Sequence, residues 1–358
     1  MKAVLLADSR DPRLNPFTLT RPACLLPIGN RSVLARNCEA LAPCVDEILV
    51  LAGGDADPVR ADMGATGGTP ISIIPDADVA AISPAPGEDY VVMNAQDAIG
   101  PSETEALSAG TCLVIDDQAD VGGLGAAGEK GRIVAARIGG ERLAAIGGSL
   151  EDGLRNAVEE GCPVSPAASW QPLVYPWHII EANVAYLQSL DGQTIDGEVD
   201  ESVTIKGAVR IGVGALVKAG TTIEGPAIIG AGTTVGPTAY IRPDTVIGDG
   251  CYIGFGFEIF DSVVFDGTKG KHRSYVGHSV IGAGVNIGCG FTTSDYRHDG
   301  AKHVTPINGE KIQTGRSKLG AFIGDNVCTG VHTATFPGRK IWPGKTTRPG
   351  EIVERDVT

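Results

Sequence analysis

The stretch that decides the fold is residues 203–259, VTIKGAVRIGVGALVKAGTTIEGPAIIGAGTTVGPTAYIRPDTVIGDGCYIGFGFEI. Within it an Ile or Val recurs at every sixth position, from Ile205 to Ile259, without interruption. Neither a helix, with a period of 3.6, nor an alternating strand, with a period of 2, produces this spacing. Six-residue repeats are typical of a parallel β-helix, in which three hexads close one triangular coil and successive coils stack about 4.8 Å apart. Because no single coil can bury its own aliphatic face, the pattern predicts a stacked solenoid.

The chain is expected to divide into three segments: an α/β domain at 1–150, a connector with a helix at 151–195 and the solenoid at 196–358. In the first segment, apolar strand patterns at 2–7 and 47–52 alternate with a helical pattern at 31–41. Strands that alternate with helices indicate a mostly parallel sheet. Pro176 is expected to begin the connector helix, because proline fits the first helical turn.

Composition narrows the function classes. The 358 residues include 50 glycines and only 5% aromatic residues, which suits a turn-dense solenoid. The formal charge of −14 argues against a nucleic-acid partner, because phosphate neutralisation needs a basic surface. No apolar stretch has the length of a membrane span, and the N-terminus lacks a signal-peptide pattern, so we expect no membrane partner and a cytoplasmic location. The eight cysteines contain no CxxC pair, and buried reduced thiols are favoured over a disulfide framework.

The hexad register breaks twice, at KGKHRSY (269–275) and at SDYRHDGAKHVTPINGEKIQTGRSK (294–318). Insertions in a solenoid map to loops, often on its binding face. Three of the six histidines and eight of the 29 lysine and arginine residues of this acidic chain lie in these two segments. The breaks therefore predict a site for an anionic ligand.

The motif GHSVIGAGVNIGCGFTTSDYRHDG (277–300) resembles the acetyltransferase half of the bifunctional UDP-N-acetylglucosamine pyrophosphorylase and glucosamine-1-phosphate N-acetyltransferase family. The loop at 297–330 is similar to the archaeal-type or alternative bacterial branch of that family. The N-terminus, MKAVLLADSRDPRLNPFTLTRPACLLPIGN (1–30), resembles the nucleotidyltransferase start of the same family. The resemblance implies a left-handed β-helix that forms a homotrimer, with active sites between subunits.

The resemblance also implies the roles of individual residues. Acetyl transfer needs a base that takes a proton from the attacking amine and donors that stabilise the oxyanion. His272 matches the family's general base, and an imidazole that titrates near neutral pH suits that role. A surface histidine in a basic turn is the alternative interpretation. The implied substrate-binding residues are Arg242 and Tyr275 for the phosphate, Asn286 and Asp295 near the amine, Tyr296 in the pocket, and Lys271 and Arg273 for the positive field.

The resemblance places acetyl-CoA, the expected co-substrate, along the solenoid. Gly288 and Cys289 stand where the family has Gly-Ala, and a packing role for Cys289 is favoured over a covalent acyl intermediate. Lys318, Arg339 and Lys340 are candidates for the CoA phosphates, with solvated turn cations as the alternative. Two positions depart from the family pattern: Phe260 stands where relatives have Lys, and Asp295 where the common bacterial branch has Asn.

The N-terminal motif is degenerate. Ser9 and Asp11 replace the glycines of the triphosphate loop, and Ala23 replaces the substrate lysine. Only Arg13 stands where the family has its loop arginine, and Asp97 is offset by one from the metal-binding aspartate. We therefore expect a vestigial nucleotide site, with Mg²⁺ required only if nucleotidyl transfer survives.

The sequence leads to one hypothesis and several alternatives. The hypothesis is an acetyl-CoA-dependent N-acetyltransferase that acts on an amino-sugar 1-phosphate, with glucosamine 1-phosphate as the favoured acceptor, in nucleotide-sugar biosynthesis. The alternatives are a bifunctional enzyme that also transfers a uridylyl group, and a non-catalytic binding or scaffold protein. A γ-type carbonic anhydrase with zinc on His272, His278 and His298 is disfavoured, because the surrounding motifs match the acetyltransferase. No resident metal is predicted.

Overall fold

The computed structural model describes residues 1–63, 68–108, 112–114, 133–146, 164–166 and 173–358. The chain divides into two compact units. The first comprises Met1–Arg10, Arg21–Leu26 and Arg31–Leu173, and the second comprises Asp11–Thr20, Pro27–Asn30 and Val174–Thr358. Two short N-terminal segments thus group with the C-terminal unit. Of the predicted connector, 151–163 (including Cys162) and 167–172 lie outside the described residues.

The first unit contains a seven-stranded sheet. In spatial order its strands are Ile71–Ile74, Glu47–Leu51, Lys2–Leu6, Asp89–Asn94, Ile133–Gly139, Cys112–Val114 and Val164–Pro166. The first four are parallel, whereas Ile133–Gly139 runs antiparallel to both of its neighbours. The predicted α/β class is confirmed, and the parallel sheet carries one reversed strand.

The described α-helices of the first unit are Val33–Leu41, Ala56–Met63, Pro101–Ser108 and Gly140–Ala144. The helix predicted at 31–41 begins at Val33, because the Ser32 hydroxyl caps it by accepting the N–H of Ala35 at 3.0 Å. Arg31–Ser32 is a short strand, and Pro27–Ile28 is another. In the second unit the helix Pro176–Leu187 begins at the predicted proline and buries Trp177.

The rest of the second unit is a left-handed parallel β-helix with three faces. The first face has the strands Gln193–Ile195, Val209–Ile211, Ala227–Ile229, Thr245–Ile247, Ser262–Val264, Val280–Ile281, Phe322–Ile323 and Lys340–Ile341. The second has Glu198–Val199, Leu216–Val217, Thr234–Val235, Tyr252–Ile253 and Lys269–Gly270. The third has Thr204–Lys206, Thr222–Glu224, Tyr240–Ile241, Glu258–Phe260, Tyr275–Gly277, Thr292–Thr293, Ala334–Thr335 and Ile352–Val353.

The hexad aliphatic residues form the core of this β-helix. From Ile211 to Ile259 every one of them is at most 1% exposed, and each stacks on its equivalent in the next coil. Burial of each such side chain contributes about 2 kcal/mol. Ile205 is only partly buried, because it lies in the first coil and has one neighbouring coil instead of two. The predicted solenoid is confirmed.

The first register break lies where the coils shorten by one residue, and the coil after it is short as well, since Val264 pairs with Ile281. Ile253 pairs with Gly270, whereas Val235 in the coil before pairs with Ile253. Gly270 thus takes an inward position, and the Phe257 ring fills the space beside it, since a β-carbon on Gly270 would lie 2.3 Å from that ring. The aromatic side chain replaces the missing aliphatic residue of the repeat.

The second break is an insertion within one coil. Ile281 pairs with Ile323 on the first face, so the chain leaves and rejoins the coil between them. The excursion carries an antiparallel hairpin of Val304–Ile307 and Glu310–Gln313. Among the described residues, no helix combines the length and the apolar character needed to cross a bilayer.

Candidate functional site

Three successive strands of the third face place the predicted phosphate-binding residues. Tyr240 lies beside Glu258 in the next coil, and Glu258 lies beside Tyr275 in the coil after that. Arg242 follows the first of these strands and points to the same outer face as Tyr240, because alternate residues of a strand share a face. The fold therefore brings Arg242 and Tyr275 to one surface of the β-helix.

Arg242 is held by two contacts in the intermediate coil. Its Nη1 donates to Glu258 Oε1 at 2.9 Å, and its guanidinium carbon lies 4.1 Å from the centroid of the Phe260 ring. Phe260 replaces the charged lysine of the relatives, and its ring face also packs against the guanidinium of Arg242. The ion pair with Glu258 uses one edge of that guanidinium and leaves donors on the others.

Tyr275, Asp295 and Lys318 form a second group on this surface. The Tyr275 hydroxyl donates to Asp295 Oδ2 at 2.7 Å, and Lys318 Nζ donates to Asp295 Oδ1 at 3.2 Å. Burial, followed by the hydrogen bond to Asp295, raises the pKa of Tyr275 well above its usual range, so the phenol keeps its proton. Lys318 Nζ also lies 4.5 Å from the centroid of the Tyr296 ring, which places Tyr296 in the same group.

Behind this group lies a largely buried row of ionisable side chains that the sequence analysis did not bring together. His278 Nδ1 is 2.6 Å from Asp261 Oδ2, and its Nε2 is 3.6 Å from Asp295 Oδ2. Arg316 bridges Asp261 at 2.9 Å and Glu181 at 3.1 Å. Burial raises the pKa of Glu181, although Arg316 opposes the shift.

The sequence does contain a pattern that could have located this row of ionisable residues. Asp244, Asp261 and His278 recur at the same corner of successive coils, and all three adopt positive φ, of 60°, 41° and 51°. Polar non-glycine residues at such positions mark tight corners. The sequence analysis considered His278 only as a zinc ligand. Its actual partners are carboxylates, and the described residues hold no group of three or more His, Cys, Asp or Glu side chains placed for a metal ion.

His272 lies at the corner between the second and third faces, three residues before Tyr275. Its side chain is exposed, and so are those of its neighbours Lys271 and Arg273. The turns of this corner lie over one another, since the N–H of Gly290 donates to the carbonyl of Arg273 at 2.8 Å. The imidazole of His272 is therefore open to a ligand that approaches this edge.

The neighbours of His272 along the corner are apolar. Phe255 occupies the equivalent place in the coil before and Val331 that in the second coil after, and they are 58% and 46% exposed. Cys289 lies directly after His272 in this stack, is partly buried, and carries a free thiol. The corner thus presents a stripe of Phe255, His272, Cys289 and Val331, which we call the His272 corner.

Asn286 is not with the other predicted substrate residues. It lies on the second face, between Lys269 and Cys328 of the neighbouring coils, and is exposed. Tyr275 lies on the third face. Within one chain, the His272 corner therefore separates Asn286 from Tyr275.

Gly288 occupies a crowded position at the His272 corner. A β-carbon there would lie 2.6 Å from the backbone oxygens of Thr329 and Gly330, so only glycine fits. Its N–H donates to the Thr329 hydroxyl at 2.9 Å. This amide is therefore already bonded within the β-helix.

The three cations predicted for the CoA phosphates lie in three different environments. Lys318 contacts Asp295 and Tyr296, as described above. Lys340 is 2% exposed, and its ammonium donates to the carbonyl oxygen of Pro306 at 2.6 Å, which disfavours its predicted role as a ligand of CoA. Burial lowers the pKa of Lys340.

Arg339 faces a cleft. Together with Tyr296, Arg297, His298 and Phe336, it lines a cavity of ≈ 480 Å³ beside the inserted segment. The Nε of Arg339 is buried and has no hydrogen-bond partner among the described residues. A cleft that combines aromatic rings with cationic groups suits a ligand with a ring and a phosphate.

The two residues predicted for a vestigial nucleotide site fall in different compact units. Arg13 is paired with Asp11, from Nη2 to Oδ2 at 2.6 Å and from Nε to Oδ2 at 2.9 Å. Asp97 is fully buried, with 0% exposure. The pairing of Arg13 blocks one edge of its guanidinium, and the burial of Asp97 keeps its carboxylate away from solvent.

Comparisons with known proteins agree with the motifs. A protein-family model described as the GMPPB C-terminal domain matches residues 223–330. A bifunctional sugar-1-phosphate nucleotidylyltransferase/acetyltransferase of Sulfurisphaera tokodaii is 40% identical over 188 residues, which are 52% of this chain and 47% of that relative. A bifunctional protein GlmU of Methanococcus maripaludis is 37% identical over 210 residues, 58% of this chain and 51% of the relative.

These two relatives are matched over about half of their length. A bifunctional protein GlmU of Methanocaldococcus jannaschii is 28% identical over 406 residues, which cover 100% of this chain and 96% of the relative. The predicted resemblance is therefore confirmed: the chain is similar along its whole length to this bifunctional protein GlmU, and the matching family model lies within its β-helix.

Proposed function

We propose that the chain is an acetyl-CoA-dependent N-acetyltransferase that acts on glucosamine 1-phosphate, or a closely related amino-sugar 1-phosphate, in nucleotide-sugar biosynthesis. One observation carries this proposal. The exposed His272 lies at the edge of the same surface that presents Arg242 and Tyr275. The proposal assigns the base, the phosphate-binding cation and a polar anchor for one small acceptor to this surface.

In the proposed reaction the acceptor amine attacks the thioester carbonyl carbon. A C–N bond forms, the C–S bond breaks, and His272 takes the proton that the amine loses. The same imidazole then returns the proton to the departing thiolate. Because His272 is exposed and is flanked by two cations, an anionic acceptor is drawn to it.

Arg242 is the proposed ligand of the acceptor phosphate. The Arg242 guanidinium retains N–H donors beyond the one that binds Glu258, and the contact with the Phe260 ring fixes the orientation of the guanidinium. Tyr275, Asp295 and Tyr296 line the neighbouring part of the surface. Asn286 would reach the same acceptor from the adjoining face only if a second subunit completes the site.

The co-substrate and the assembly are part of the proposal. Acetyl-CoA supplies an activated acetyl thioester, and the His272 corner with Gly288 and Cys289 would receive it. The cleft at Arg339 suits a phosphate-bearing end of the same molecule. Phe255 and Val331 leave an apolar stripe exposed, and such stripes mark surfaces that partners cover. We propose that a homotrimer covers this stripe.

We propose that the nucleotidyltransferase-like N-terminal domain, residues 1–150, has lost nucleotidyl transfer. The pairing of Arg13 with Asp11 and the burial of Asp97 support this. A divalent cation needs carboxylates that face the substrate. Asp97 does not meet this requirement, and so no step is assigned to Mg²⁺.

The first test is release of free CoA by the full-length protein with acetyl-CoA and glucosamine 1-phosphate. A general base contributes about 10²- to 10⁴-fold, so His272→Ala is expected to lose at least about 100-fold in kcat. His332→Asn is the matched control, because His332 is an exposed histidine at the same corner with φ of 57°. An unchanged rate in His272→Ala would refute the role of His272.

The second candidate is a bifunctional enzyme, and the full-length similarity to the relative from Methanocaldococcus jannaschii favours it. It predicts pyrophosphate release from UTP, Mg²⁺ and the acetylated sugar phosphate. Our proposal predicts none. Pyrophosphate release that Arg13→Ala abolishes would establish the second activity.

A further inference from the structure

His278 lies at a buried corner of the β-helix, between two carboxylates. Its Nδ1 is 2.6 Å from Asp261 Oδ2, and its Nε2 is 3.6 Å from Asp295 Oδ2. His278 is 6% exposed, and both carboxylates are largely buried as well. Because little water reaches them, the charges of these groups interact strongly.

The hydrogen bonds determine how many protons the ring of His278 carries. Asp261 Oδ2 accepts from Arg316 at 2.9 Å, and an ionised carboxylate only accepts, so Nδ1 of His278 must be a donor. A neutral imidazole would then turn the lone pair of Nε2 toward Asp295 Oδ2. A doubly protonated ring points an N–H there instead, and it forms an ion pair across the 3.6 Å. The imidazolium is therefore the form that suits both neighbours.

The row of ionisable side chains to which His278 belongs alternates in charge. Arg316 bridges two of its carboxylates, at 2.9 Å and 3.1 Å, and Lys318 lies 3.2 Å from the third. With two full cations against three carboxylates, the row is balanced only when His278 is charged as well. In order, its members are Glu181, Arg316, Asp261, His278, Asp295 and Lys318.

His278 also contacts both positions at which the chain departs from the family pattern. One is Asp295. The other is Phe260, whose ring packs against the imidazole with the centroids 5.0 Å apart and the planes at 77°. Phe260 lacks the cation of the relatives, and Asp295 adds an anion that the common bacterial branch lacks. Both changes make this surface less favourable for a phosphorylated acceptor, and a cation at His278 offsets them.

We propose that His278 is a positioning residue, whose imidazolium supplies the counter-charge that holds Asp295 in place and keeps this surface compatible with a sugar phosphate. His278 acts through Asp295, which accepts from the Tyr275 hydroxyl at 2.7 Å and from Lys318 at 3.2 Å. The inference rests on the proposed function, and it leaves the roles of Arg242 and Tyr275 as they stand there.

The kinetic test is a double-mutant cycle in the full-length protein, with His278→Asn and Asp295→Asn. Asparagine tolerates the positive φ of 51° at position 278. His278→Asn is expected to raise KM for glucosamine 1-phosphate about tenfold and to change KM for acetyl-CoA less than about twofold. Because Asp295→Asn removes the charge that His278 balances, adding His278→Asn to it is expected to raise KM for the sugar phosphate less than about twofold.

His332→Asn is the matched control, because it makes the same exchange at an exposed histidine with φ of 57°. It is expected to leave both KM values unchanged. An unchanged KM for glucosamine 1-phosphate in His278→Asn would overturn the inference. The same rise in KM with and without Asp295→Asn would also overturn it, because His278 would then not act through Asp295.

The second measurement needs no activity. In the full-length wild type labelled with ¹⁵N-histidine, the ring resonances that are absent from His278→Asn, or from His278→Gln, identify His278. Both ring nitrogens are expected to carry protons at about pH 7, and one bare nitrogen would overturn the inference. Absence of CoA release by the wild type would instead refute the proposed function, and with it the effect on the acceptor, whereas a doubly protonated ring would still establish the counter-charge.

Discussion

Replacement of His178 should flatten the acid dependence of stability of the C-terminal unit. This histidine, in the helix Pro176–Leu187, is 3% exposed, and burial lowers its pKa to about 3. Its Nδ1 accepts the backbone N–H groups of Val174 at 3.2 Å and Tyr175 at 3.4 Å. The folded protein therefore holds a neutral imidazole whose proton would be costly to add.

The expected magnitude follows from the two pKa values. An unfolded histidine titrates near 6.5, so between pH 6.5 and about pH 3 the unfolded chain binds a proton that the folded chain does not. His178 thus contributes stability that is present above pH 6.5 and is lost as the pH falls. Linkage gives a loss of about 2 kcal/mol between pH 7 and pH 5.

The assay is denaturant unfolding of the full-length protein at pH 7 and pH 5, with wild type and His178→Asn compared. The asparagine places a carbonyl oxygen close to the position of Nδ1 and keeps the acceptor without the titration. The pH-dependent part of the free energy of unfolding is expected to shrink by about 2 kcal/mol in the variant. Equal pH dependence in the two proteins would contradict the buried, neutral state of His178.

Two further predictions concern the β-helix. Lys340→Met should destabilise the protein by about 1–3 kcal/mol, because it removes the donor to Pro306, and should leave KM for acetyl-CoA unchanged. Arg339→Met, at the preceding residue, should raise KM for acetyl-CoA. A raised KM in Lys340→Met with an unchanged KM in Arg339→Met would instead support Lys340 as a ligand of CoA. Gly270→Ala should lower the free energy of unfolding by about 1–3 kcal/mol, because its β-carbon would lie 2.3 Å from the Phe257 ring. Thermal unfolding should show a smaller loss when Phe257→Leu is already present. Equal losses with Phe257 and with Leu at that position would show that this contact is not the cause.

Much of the fold could be predicted because the β-helix repeats a local pattern. The hexad residues from Ile211 to Ile259 specify the core one coil at a time, and each coil contacts only its neighbours. The short coil at Gly270 could not be predicted in this way, because a phenyl ring from a different position, Phe257, replaces the missing aliphatic residue. The sequence shows the break but not what fills it.

The candidate site was predictable in its residues more than in its contacts. Arg242 and Tyr275 share a face because strand alternation and coil stacking are regular. The contact of Tyr275 with Asp295 depends on how the inserted segment leaves the coil, and no repeat specifies that path. For the same reason Lys340 looks like a turn cation in the sequence, although Pro306 of the inserted hairpin covers it.

The measurement that tests the central claim most directly is identification of the product formed by the wild-type protein from acetyl-CoA and glucosamine 1-phosphate. The proposed function predicts one N-acetylated sugar phosphate for each CoA released, observed by mass spectrometry beside a thiol assay. Release of CoA without an acetylated sugar phosphate, or no release with any amino-sugar 1-phosphate, would contradict it.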